Sequence, residues 1–87
     1  MSYGVEIAPR ALAYAERLDR RTRNRIRRRI EQIADDPYGS QGKALAGQGR
    51  LRVARVGSFR IIYTADDAAQ QIQISHIGPR GQIYREI

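Results

Sequence analysis

The stretch LRVARVGSFRIIY, residues 51–63, sets two runs of β-branched and apolar residues on either side of Gly57-Ser58. A two-residue loop with glycine first suits a type II′ hairpin turn. That turn fixes a register: Val56 faces Phe59, Arg55 faces Arg60, Ala54 faces Ile61 and Val53 faces Ile62, with alternate pairs on opposite faces of the sheet. Arg55 and Arg60 thereby stand directly across from one another. Like charges so placed destabilise a sheet by roughly 0.2 to 1 kcal/mol, which makes sense if an anion sits between them. The plainer alternative is that both guanidinium groups splay into water, as arginines on a sheet ordinarily do.

Working outward, Tyr3 to Ile7 alternates as a short strand. Ala8-Pro9 marks a helix entrance, and Ala11, Leu12, Ala15 and Leu18 recur at helical spacing. Asp19 can cap a second helix, whose Thr22, Ile26, Ile30 and Ile33 form one apolar stripe before Asp36-Pro37 ends it. Residues 38–49, YGSQGKALAGQG, show no periodicity and read as a loop. Strands are expected at Leu51–Val56, Phe59–Ala65 and Gln71–Ile77, with a short final one at Gln82–Ile87 and a turn at Asp66–Ala69. The sum is an α+β fold: an N-terminal strand, then an antiparallel helix pair packed on a mainly antiparallel sheet of four to five strands.

The chain has 87 residues, which makes it a single domain, 1–87, with a thin core. An apolar share of 41% excludes a disordered chain. With no cysteine there is neither a disulfide nor a thiolate metal site, and nothing points to an oxidising compartment. No segment resembles a secretory signal or a membrane span, so a cytoplasmic protein is expected. Sixteen Lys and Arg against nine Asp and Glu give a net charge of +7, and every basic residue except Lys43 is arginine. That excess favours nucleic acid or an acidic protein as partner. In the run of residues 20–29, Arg20, Arg21, Arg23, Arg27 and Arg28 lie mainly outward of the isoleucine stripe, as a solvated face or one that grips phosphates without reading sequence.

The ending, Ser75 to Arg85 (SHIGPRGQIYR), adds Arg80, Tyr84 and Arg85, with Tyr84 expected on an extended segment. The order of elements resembles the RelE/ParE superfamily of bacterial toxins, and specifically its RelE branch. So do the pattern Arg-x-Gly-x-aromatic-Arg-x-x-Tyr at residues 55–63 and Arg-x-x-x-Tyr-Arg at residues 80–85. The likeness covers nearly the whole chain. It implies a compact RNase-like fold that enters the ribosomal A site and cuts mRNA, inhibited by a cognate antitoxin in a hetero-oligomer. It implies no cofactor, metal or membrane.

On that resemblance Arg60, Arg80 and Tyr84 are the candidate catalytic residues. Arg80 matches an arginine that stabilises the transition state, Arg60 the arginine just after the turn, and Tyr84 a tyrosine near the attacking 2′-OH. Arg52, Arg55 and Arg85 are the candidate RNA-binding residues. The lysines that RelE-like sites often carry are replaced here by Arg52 and Ala54.

The residues themselves agree with such chemistry. One histidine and no clustered carboxylates give poor support to a metal-dependent nuclease. Metal-free RNA cleavage needs a base for the 2′-OH, charge stabilisation at the phosphorane, which arginines supply, and a proton for the leaving oxygen. Tyr84 can be the base only if neighbouring guanidinium groups lower its pKa from roughly 10; otherwise it is a stacking platform or a core residue. His76, the single imidazole, shares parity with Ile72 and Ile74 and reads as a half-buried structural histidine. Tyr38 and Tyr63 read as core or hairpin-packing residues. Two other functions remain beside the nuclease: a ParE-like gyrase poison, and a basic RNA-binding module without activity.

Overall fold

The computed structural model describes residues 2–85 and 87. The elements run β1 (Gly4–Ile7), α1 (Pro9–Glu16), α2 (Arg20–Asp35), β2 (Gly42–Ala44), β3 (Arg52–Val56), β4 (Phe59–Asp66), β5 (Gln71–Pro79) and α3 (Arg80–Ile83). The five strands form one sheet in the order β1-β5-β4-β3-β2, antiparallel except for the parallel β1–β5 pair. This is the expected α+β architecture. No helix among the described residues is long and apolar enough to cross a membrane.

Local chemistry accounts for the helix pair. Pro9 opens α1, where its missing N–H costs nothing. Asp19 caps α2, accepting from the Thr22 N–H at 3.3 Å and from its hydroxyl at 2.6 Å. These bonds hold the Asp19 carboxyl below its ordinary range, with the hydroxyl the larger cause. The helices cover one face of the sheet, where Ala11, Ile26 and Ile33 meet Ala54, Val56, Ile61, Tyr63 and Ile74. Phe59 reaches the same layer edge-on to Tyr14, with ring centroids 6.4 Å apart.

The hairpin forms in the register its turn dictates, with Arg55 opposite Arg60. Gly57 has φ +58, and Gln70 is the only described non-glycine residue with positive φ. Ser58 therefore stays at negative φ, as a type II′ turn requires.

Three expectations need correction. Residues 42–44 are not loop but an edge strand, β2, paired with Arg52–Ala54 of β3. Gly42 suits that close approach, since a Cβ there would run into the Tyr63 hydroxyl. Second, β5 carries a bulge: Ile62 pairs with His76 but Tyr63 pairs with Ile74, so Ser75 is the extra residue. The bulge breaks the twofold alternation and turns His76 to the face of Ile62, away from the helix side that holds Ile72 and Ile74. His76 is buried there, with Nδ1 3.0 Å from Ser75 Oγ.

Third, the chain after Pro79 is not a strand. It makes the helical turn α3, with Tyr84 as its C-cap; Glu86 of the expected strand lies outside the described residues. Ile83 folds back onto the sheet and is buried with Val53 and Ile62, in a small second core on the face opposite the helix pair. Gly78 gives it room, since a Cβ there would lie 3.1 Å from Ile83 Cδ1.

Tyr63 is fully buried and its hydroxyl donates to the Pro37 carbonyl at 2.8 Å while accepting from Arg52 Nε at 3.3 Å. Tyr63→Phe deletes both bonds while keeping the ring, so it is expected to lower unfolding free energy by about 1 kcal/mol in urea titrations. An unchanged midpoint would show that the hydroxyl contributes nothing.

Candidate functional site

The site is built on the row Arg55, Arg60 and Gly78 across β3, β4 and β5. The pair flanking a two-residue loop exchanges backbone hydrogen bonds, so the next pair, Arg55 with Arg60, does not. In such a pair the Cα atoms approach to about 4.5 Å and the side chains come closest. The two arginines escape one another by diverging. Arg55 stays exposed. Arg60 is only 6% exposed and bends back beneath the turn, where Nη1 donates to the carbonyls of Gly57 (3.1 Å) and Phe59 (2.9 Å). One arginine thus lies exposed and the other is held by the turn it follows.

α3 brings the next residues to the same end of the hairpin. Pro79 pairs with Phe59, and the Arg80 N–H donates to Ser58 O at 2.9 Å, tying the start of α3 to the turn. Arg80 is exposed beside the turn, and Tyr84, 40% exposed, follows four residues later on the same side of one helical turn. Arg85 is exposed next to it. Arg55, Arg60 and Arg80 are therefore brought together around the hairpin end, with Tyr84 and Arg85 flanking them.

Arg52 is not part of this gathering. Its pairing with Tyr63 puts it on the helix side of the sheet, where Nε donates to Pro37 O (3.0 Å) and Nη2 to Gly42 O (3.2 Å). Its guanidinium also lies over the Tyr38 ring, 5.2 Å from the centroid. Tyr38 is exposed, not core, and its hydroxyl donates to both Asp67 carboxylate oxygens at 2.9 and 3.0 Å. The hydrogen bond to Asp67, with desolvation, raises the Tyr38 phenol above its ordinary range.

Two cations absent from the sequence-based set join the arginine face. Lys43 pairs with Val53, which places it on the side of Arg55 and Ile62. Being the sole lysine in a glycine-rich segment was its only signal in the sequence. Arg29 of α2 reaches the edge of β3, where Nη1 donates to Arg55 O at 2.6 Å. β2 ends its pairing at Ala54, so the outward carbonyl of Arg55 lacks a strand partner, and Arg29 supplies the missing donor. Among the described residues no three His, Asp or Glu side chains gather as a metal-ligand set.

The family model for the ParE toxin of type II toxin–antitoxin systems, parDE, matches residues 5–84. No curated protein sequence matches significantly. Among solved structures, the chain is similar to one of the archaeal RelE–RelB complex of Pyrococcus horikoshii. It is 25% identical, with a TM-score of 0.80 over 94% of this chain and 99% of that one. The RelBE2 toxin–antitoxin complex of Mycobacterium tuberculosis gives 22% identity and a TM-score of 0.81 over 92% and 100% of the chains. The isolated E. coli RelE toxin gives 19% and 0.79 over 98% and 94%. These likenesses bear out the α+β fold with its five-stranded sheet. Matched by the family model over nearly its whole length, and folded like RelE, the chain belongs to the RelE/ParE family of toxins from type II toxin–antitoxin systems.

Proposed function

We propose that this protein, acting as one domain of residues 1–87, is a RelE-like endoribonuclease that cuts translated mRNA in the ribosomal A site. The observation that carries the reading is the gathering of Arg55, Arg60 and Arg80 at one end of the hairpin, beside exposed Tyr84. A toxin that only occupies a surface has no need to press two arginines into direct opposition on a sheet.

Cleavage of RNA without a cofactor begins when the 2′-OH loses its proton and its oxygen attacks the adjacent phosphorus. The P–O5′ bond then breaks, the 5′-oxygen takes up a proton, and a 2′,3′-cyclic phosphate remains. Negative charge grows on the phosphorane oxygens between these steps. Arg60, 6% exposed and held by the turn carbonyls, contributes a positive charge fixed in advance beneath the site, which is the condition under which charge is most effective. Arg80 supplies a second guanidinium from the start of α3. Arg55 and Arg85, exposed, bind flanking phosphates, and Lys43 adds charge to the same face. Tyr84, in its phenolate form, receives the 2′-OH proton, and solvent water protonates the departing 5′-oxygen. Arg52, engaged with three oxygens and the Tyr38 ring, acts in this reading through the fold and not on RNA.

A cognate antitoxin is the natural partner. The P. horikoshii and M. tuberculosis relatives were crystallised in complexes with antitoxins, and the toxin's +7 charge suits an acidic one. Ribosomes and mRNA place the action in the cytoplasm. A second reading, a gyrase-directed ParE-like poison, is favoured by the name of the matching family model and by the structural engagement of Arg60. Sequencing mRNA ends after brief induction separates the two. Cuts in phase with codons are expected, whereas intact mRNA with damaged DNA would replace the proposal by the second reading.

Arg80→Ala is expected to cut the cleavage rate by about 10²-fold or more while leaving stability within about 0.5 kcal/mol. A fully toxic, folded Arg80→Ala variant would contradict the assignment. Arg60→Ala behaves differently because the side chain also braces the turn. It is expected to lose activity and about 1 to 2 kcal/mol of stability, read by thermal and urea unfolding. Tyr84→Phe is expected to slow cleavage by about 10²-fold; full retention of rate removes Tyr84 from proton transfer and leaves it a stacking role.

A further inference from the structure

Helix α2 carries two neighbouring stripes. Ile26, Ile30 and Ile33 go into or against the core, while Arg25, Arg28, Arg29 and Gln32, at i, i+3, i+4 and i+7, share the face turned to the β3–β4 hairpin. This second stripe is more than a solvated surface. Arg25 packs so closely on the turn that its Nη2 lies 3.1 Å from where a Cβ on Gly57 would sit. Arg29 is fixed by the Arg55 carbonyl, and its Nε is buried with no hydrogen-bond partner, an exception to the rule that buried donors are satisfied.

These side chains line a cleft of about 210 Å³, walled by Arg25, Arg28, Arg29, Gln32, Val56 and Gly57. Arg29 also lines an adjoining cleft of about 230 Å³ that includes Lys43 and Arg55. Among the described residues neither lining contains a carboxylate. The two run from α2 around the open edge of β3 to the arginine face.

We propose that the α2 cleft is a second phosphate-binding site, which grips the backbone of the RNA strand whose scissile phosphate lies on the Arg55–Arg60–Arg80 face. This rests on the reading of that face as an RNA site. Phosphodiester groups need only charge and donors, which the cleft supplies through guanidinium and amide groups. A protein segment docks through an apolar anchor in a pocket, and among the described residues Val56 is the only apolar side chain this cleft offers.

The test uses the whole purified chain and a short single-stranded RNA with 2′-O-methyl groups, which binds but is not cut. Affinity is read by fluorescence anisotropy across salt concentrations. R25Q/R28Q removes two charges without touching the brace at Arg29; both positions are exposed, and thermal unfolding confirms the fold. R17Q/R20Q is the charge-matched control. Arg17 ends α1, and Arg20 lies five residues before Arg25, on the other side of α2.

For single strands each phosphate contact contributes about 0.7 to the slope of log K against log salt. R25Q/R28Q is expected to make that slope shallower by about 1.4 and to weaken binding about tenfold, with R17Q/R20Q unchanged. Equal effects from the two pairs, or none from either, would overturn the site. So would an acidic peptide that outcompetes RNA on the wild type and loses that advantage on R25Q/R28Q, which would assign the cleft to a protein partner. The cleavage reading fails on mapped mRNA ends and this one on a salt slope, so the two failures are distinguishable.

Discussion

The turn at Gly57-Ser58 sets more of this molecule than any other local feature. With Gly57 at φ +58, β3 reverses onto β4 in a register that places Arg55 opposite Arg60. Helical and sheet cores could form around many hairpins, but the arginine face requires this register. A slip of one residue would carry every side chain of β3 to the other side of the sheet and bury Arg55 against the helices. The elements around the turn hold it from three directions: Arg60 from beneath, the Arg80 N–H from α3, and Arg25 and Arg29 from α2.

The repulsion built into that register is relieved by geometry, and among the described residues no carboxylate pairs with either arginine. Arg60 turns back to the Gly57 and Phe59 carbonyls, whose partial negative charge offsets part of its own, while Arg55 extends into solvent. The face therefore stays cationic. Such an arrangement costs stability in a small fold and is sensible where an anion is to be received, which links the local strain of charge to function. The bulge at Ser75 and the room left by Gly78 serve the same face: one turns His76 onto it and the other lets α3 fold over it.

The hairpin register, the Asp19 cap, the two helices and four of the five strands were legible because each is dictated by residues close in sequence. Arg55 and Arg60 could be paired for the same reason, since a two-residue turn leaves little choice, whereas Arg80 entered through the resemblance. What escaped reading depends on distant partners. β2 is three residues whose strand state exists only through β3. The Ser75 bulge is invisible to a twofold alternation, so His76 was placed on the wrong face. α3 replaces an expected strand because Ile83 finds Val53 and Ile62 in space. Arg52 looked equivalent to Arg55, yet three positions along a strand is an odd step, so the two residues lie on opposite faces. Lys43 and Arg29 join the site only through the edge of β3.

The central claim is that the arginine face cuts RNA presented by the ribosome. It is tested most directly by adding the purified toxin to ribosomes programmed with a defined mRNA and an empty A site, beside the same mRNA free in solution, and mapping the ends. The account predicts a single cut within the A-site codon, ending in a 2′,3′-cyclic phosphate, and little cleavage of the free strand. An intact mRNA on the ribosome, or equal cutting of the free RNA, would contradict it.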